Sequence, residues 1–138
     1  MIREGEMSVT PVYAAVAALL FVFLSYRVTR IRWAERIALG DGRNRELLRA
    51  IRVHGNFAEY VPLTLLLMAF AELQGVPAWG MHLIGLTLLG GRVCHAVGFG
   101  REPQVLRLRV TGMMLTYAAI AASAIAIILA ALVPPLAA

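Results

Sequence analysis

Long uncharged apolar stretches alternate along the chain with short charged ones, and the alternation predicts four membrane-length helices. No charge lies between Glu6 and Arg27, so Met7–Tyr26 reads as a first apolar span. Val53–Ala71 is interrupted only by Glu59, and Leu73–Gly91 carries no charge apart from any on His82; Val110–Val133 carries none. Each stretch meets the need for about 20 apolar residues, at about 1.5 Å rise, to cross a ~30 Å hydrocarbon core. An isolated apolar strand would leave its backbone groups unpaired in lipid, so the segments are read as helices. With polar extensions added, the spans are expected at 7–30, 49–74, 77–99 and 107–133 of one domain covering 1–138. Breaks are expected at Gly40-Asp41-Gly42, at Gln74-Gly75-Val76-Pro77, and around Gly98, Gly100 and Pro103. The expected fold is all-α: an integral membrane four-helix bundle running up-down-up-down.

Composition strengthens this reading. Hydrophobic residues fill 60% of the 138 positions, and the mean hydropathy is +0.76. That exceeds the roughly 45–50% of ordinary globular domains, so the solvent for the excess is lipid. The single cysteine, Cys94, excludes an intrachain disulfide and a cysteine-rich metal site. The opening MIREGE is mixed in charge, and no cleavable leader is expected.

The net charge of +5 resembles a nucleic-acid signal until its distribution is considered. All 13 basic residues are arginines. Eight fall between Arg27 and Arg52, four between Arg92 and Arg109, and Arg3 stands alone. Basic residues confined to alternate connections are a topology signal. They place both arginine-rich connections in the cytoplasm and both termini outside, with no nucleic-acid partner. Trp33 and Trp79 read as interfacial anchors.

The chemistry lies in polar residues that lipid disfavours. Arg49, Arg52, Asn56 and Glu59 are spaced i, i+3, i+7, i+10, which places them within an arc of roughly 80° on one helix face. A carboxylate at Glu59's depth needs protein or water around it and a partner, for which arginine is suited. Arg92, His95 and Phe99 form a similar face ending the third span, and Arg107, Arg109, Gly112 and Thr116 open the fourth. Tyr26 and Arg30 reach the same depth. A structural ion-pair network would account for this convergence; so would a pocket for a small anion, which the surplus of arginine over carboxylate favours. His54, His82 and His95 share no metal-ligand spacing, and no metal site is expected. Cys94 and His95 point about 100° apart on a helix, which argues against a nucleophile pair.

The stretch Arg49-Ala-Ile-Arg-Val-His-Gly-Asn-Phe-Ala-Glu-Tyr-Val-Pro62 resembles the second-helix signature of the MAPEG family, the membrane-associated proteins of eicosanoid and glutathione metabolism. Its core is matched by Arg52, Asn56, Glu59 and Pro62. Gly91-Arg-Val-Cys-His95 is similar to the third-helix segment of that family's prostaglandin E synthases. Ala38–Gly42 and Arg109–Thr116 look like its uncharacterised bacterial branch. The resemblance implies a homotrimer in a bacterial inner membrane, binding glutathione between neighbouring subunits at the cytoplasmic side. It implies a glutathione S-transferase-like enzyme, a transferase or peroxidase acting on lipophilic electrophiles or lipid hydroperoxides. Arg49, Arg52, Asn56, Glu59, Tyr60, Arg92 and His95 would hold glutathione; Arg109 or Arg107, with Arg30, would stabilise the thiolate, and the first-helix arginine that reaches a neighbouring subunit would be Arg30 or Arg27. Phe99, where eukaryotic members often carry tyrosine, and Gly55, where the prostaglandin branch has arginine, point away from eicosanoid synthesis.

Two other readings compete. Glu59 could serve as the carrier carboxylate of a small proton-coupled transporter. Alternatively the chain could be a non-catalytic, lipid-binding membrane protein.

Overall fold

The computed structural model describes residues 7–132. Helix α1 runs over Thr10–Glu35, α2 over Arg45–Leu73, α3 over Ala78–Gly100 and α4 over Leu106–Leu132; the described residues contain no strand. All four helices are long and apolar enough to cross a membrane. The helices α1 and α2, at 26 and 29 residues, exceed a ~30 Å core at about 1.5 Å per residue, so their arginine-bearing ends project beyond it.

Local chemistry sets the helix ends. Pro11 pre-sets the first turn of α1, but Val9, in the cap position, offers no side-chain acceptor. The acceptor comes instead from the end of α2: Glu72 receives the backbone N–H groups of Ser8, Val9 and Thr10, each at 2.7 Å. This carboxylate meets three donors that a helix start leaves unpaired, at its positive pole. Arg36 closes α1 in the left-handed region, with φ 54°. Asn44 caps α2, its Oδ1 accepting from the Leu47 N–H at 2.9 Å. Gly75, with φ +83°, makes the turn into α3.

Differences from the sequence expectation concern these ends. Four residues of α2 precede the expected start at Arg49, and α1 runs past residue 30 to Glu35. Gly98 and Gly100 were expected to break the chain but lie within α3, leaving a five-residue link to α4. Low intrinsic propensity yields there because helical pairing satisfies backbone groups near lipid, and because glycine permits close packing. The expected end at Val133 lies outside the described residues.

The pair α3 and α4 is the most closely packed; α1 touches α3 only lightly. A β-carbon at Gly91 would stand 2.9 Å from the Gly112 carbonyl, and one at Gly98 2.8 Å from Leu108 Cβ. Glycine at both contacts lets the two backbones meet. The main core, including Tyr13, Leu24, Phe57, Met68, Met81 and Leu88, fills the space among the four helices. A smaller cluster of Ile31, Leu47 and Ala50 packs α1 on α2 at the arginine-rich end.

Candidate functional site

The site forms where α2, α3 and α4 meet, a few turns from the arginine-rich end. Gly91 and Gly112 bring α3 against α4, and the next residue, Arg92, is carried into the interior, where it is 2% exposed. One guanidinium nitrogen donates to Asn56 Oδ1 at 2.6 Å. The other reaches the Gly112 carbonyl at 3.4 Å and Met113 Sδ at 3.3 Å. Among the described residues, Arg92 Nε is buried without a hydrogen-bond partner. The Tyr60 ring lies 5.7 Å from the guanidinium carbon, within cation–π range, and Tyr117 tilts against Tyr60 at 5.8 Å. Among the described residues no carboxylate forms an ion pair with Arg92.

One turn along α3, His95 is 5% exposed and stacks on Phe99 at 5.8 Å. Phe99 in turn lies under Arg109 of α4, whose guanidinium carbon is 4.4 Å from the ring centroid. The Gln104 amide oxygen accepts from Arg109 at 3.3 Å. The resulting surface runs Asn56–Tyr60 on α2, Arg92–His95–Phe99 on α3 and Arg109–Met113–Tyr117 on α4. It gathers one buried guanidinium and one half-buried guanidinium among aromatic rings, a chemistry suited to an anion or to a molecule with acidic groups.

Five of the sequence-derived candidates therefore converge: Asn56, Tyr60, Arg92, His95 and Arg109. The others are placed differently. Arg52 and Glu59 are exposed on the outer side of α2, and the arginine partner expected for Glu59 is not found among the described residues. One helix face thus divides, because its arc exceeds what one neighbouring helix covers. Arg49 is engaged by Glu102, which ties α2 to the α3–α4 link; among the described residues its Nε, like that of Arg92, is buried without a hydrogen-bond partner. Arg107 and Arg30 are exposed. Met113 and Tyr117 escaped the sequence reading. Their signal was the i, i+4, i+8 stripe they form with Arg109 on α4, masked by the apolar character of the whole helix.

Two polar pairs lie apart from this surface. His54 Nε2 and Ser25 Oγ are 3.1 Å apart between α1 and α2, while the Tyr13 hydroxyl is 3.1 Å from His82 Nδ1 between α1 and α3.

The chain is similar to the inner membrane protein YecN of Escherichia coli strain K12, with 42% identity over 112 residues. That match spans 81% of this chain and 84% of the relative, and the YecN of E. coli O6:H1 strain CFT073 matches equally. Four apolar helices and these relatives identify an integral inner membrane protein. The model of the MAPEG family matches residues 10–129, and the chain belongs to the MAPEG family, the membrane proteins of glutathione and eicosanoid metabolism.

Proposed function

We propose that the protein is a glutathione-dependent transferase or peroxidase that acts on lipophilic electrophiles or lipid hydroperoxides within the membrane. The observation that carries this reading is Arg92, a buried guanidinium held by neutral groups and, among the described residues, without a carboxylate partner. A buried cation in that state is stabilised by an arriving anion, and glutathione has two carboxylates. Arg92 and Asn56 form the carboxylate clamp, with Tyr60 and His95 as its walls. When bound, glutathione supplies a thiol nucleophile. Arg109 is the fourth-helix arginine favoured to hold that thiol as thiolate, because its fixed charge stands over Phe99 beside His95.

Arg52 and Glu59, exposed on one chain, suit a site completed by a neighbouring copy. In a homotrimer Glu59 would receive the glutathione ammonium, and Arg30 of the adjacent subunit would face the thiol. An acceptor dissolved in the bilayer meets a tripeptide taken from the cytoplasm at such a boundary, which raises the effective concentration of both.

The test is equilibrium glutathione binding to the purified protein in detergent, followed by conjugation of 1-chloro-2,4-dinitrobenzene. Saturable binding at millimolar concentration or below is expected, with conjugation lost in Arg109→Ala and retained in Arg107→Ala. Failure to saturate at millimolar glutathione overturns the proposal.

A further inference from the structure

Residues 101–105 link α3 to α4, and none of them is buried. What holds them is polar. The Val105 N–H donates to the Gly98 carbonyl at 2.9 Å. Three arginines, one each from α1, α2 and α4, grip this stretch and the residue before it. Arg27 donates to the Gly100 carbonyl at 3.3 Å, Arg109 donates to Gln104 Oε1 at 3.3 Å, and Arg49 pairs with Glu102. The link thus crosses the arginine-rich end of the site and joins α2 to α4 there. A segment held in this way, without buried side chains of its own, belongs to the easily opened part of a fold.

The Arg49–Glu102 pair is unequal. The Arg49 side chain is 13% exposed, the Glu102 side chain 60%. When the two part, water rehydrates the carboxylate at little cost, but the guanidinium stays largely shut away from solvent. Arg49 therefore needs an anion beside it more than Glu102 needs Arg49, and an incoming carboxylate can exchange for Glu102. Spacing names the ligand that would do so. Arg49 and Asn56 lie on the same face of α2, about 10 Å apart along its axis at about 1.5 Å per residue. Asn56, with Arg92, is the clamp assigned above to one carboxylate of glutathione. An extended tripeptide reaches about 10 Å, so its other carboxylate falls near Arg49, where Glu102 now stands.

We propose that Glu102 is a built-in substitute for a ligand carboxylate, and that the 101–105 link is a strap which a ligand with two acidic groups displaces from Arg49. The inference rests on the glutathione reading and supplies the regulation of that site. Ligand binding and release of the strap are one exchange at Arg49, so the apparent affinity is lowered by the fraction of molecules in which Glu102 holds its place.

The experiment measures glutathione affinity by titration calorimetry on the intact protein in nanodiscs, for wild type, Glu102→Gln, Glu102→Ala and Glu35→Gln. The last removes an exposed carboxylate at the end of α1 and serves as the charge control. Both Glu102 variants should bind about three- to fivefold more tightly, the size expected for losing one partly exposed ion pair, and Glu35→Gln should match wild type. Trypsin cleavage after Arg101, scaled to cleavage after Arg43 in the first connection, reports the strap without any ligand. It should rise about three- to fivefold in both Glu102 variants, because cleavage follows the open population. Circular dichroism on the same preparations verifies that they are folded. Glutathione affinity unchanged in the Glu102 variants overturns the strap and leaves the glutathione reading standing, and so does unchanged cleavage after Arg101. An equal gain in Glu35→Gln overturns it as well, since the effect is then one of overall charge. Absence of saturable binding in every preparation overturns the glutathione reading, and the strap with it.

Discussion

Arg92 sets the energetics of the interior because its desolvation is only partly offset by Asn56, the Gly112 carbonyl and Met113. Removing Arg92 alone would leave Asn56 facing an apolar gap; replacing both removes the polar demand at once. The double variant Arg92→Leu/Asn56→Leu is therefore expected to melt at or above the wild-type temperature in detergent while its glutathione affinity falls about tenfold or more. A melting temperature several degrees lower would show that the clamp stabilises the fold instead. At this scale the sequence disclosed depth but not direction. Arg92, Asn56 and His95 were recognisable as polar residues at a common level. That Glu59 faces outward while Asn56, three residues earlier, faces α3 depends on helix rotation. Helical spacing defines which residues share a face; where that face points depends on the neighbours.

Among elements, the α3–α4 pair controls the site, since Gly91, Gly98 and Gly112 set the distance at which His95 and Arg109 stand. A β-carbon at Gly112 would stand 2.6 Å from the Gly91 carbonyl and would meet the His95 backbone nitrogen. Gly112→Val is expected to wedge the helices apart, costing about 1–3 kcal/mol, as overpacking does, and weakening glutathione binding through displaced Arg92 and Arg109. Gly90→Val, on the same helix pair but with open space around its β-position, should leave both unchanged. Melting temperature and affinity measured on the two variants check this. The helices themselves were legible from charge-free runs. Their ends were less so: Gly98 and Gly100 read as a break because glycine disfavours helices in isolation, an argument that tertiary packing overrides.

For the molecule as a whole, the arginine distribution predicts an orientation for the bundle. With both arginine-rich connections in the cytoplasm and Cys94 replaced by alanine, a membrane-impermeant maleimide is expected to label Gln74→Cys in intact cells. Ala38→Cys should react only after permeabilisation; the reverse pattern would invert the topology. Four spans were accessible from the sequence because lipid imposes a simple length rule. The Glu72 contact was not, because it joins residues more than sixty positions apart.

That contact also bears on how α1 is anchored. One end of α1 is fastened by Glu72 and by Tyr13 with His82. Further along, Ser25 meets His54 and Arg27 donates to the Gly100 carbonyl at 3.3 Å. Between these fastenings lie a crevice of about 130 Å³ against α3 and a recess of about 250 Å³ against α2, the latter lined by Ala14, Ala17, Ala18 and Phe21. Most helices loosen from their tips inward. This one has its opening turn pinned by a side chain from another helix, so its first residues are expected to fray less than a free tip would.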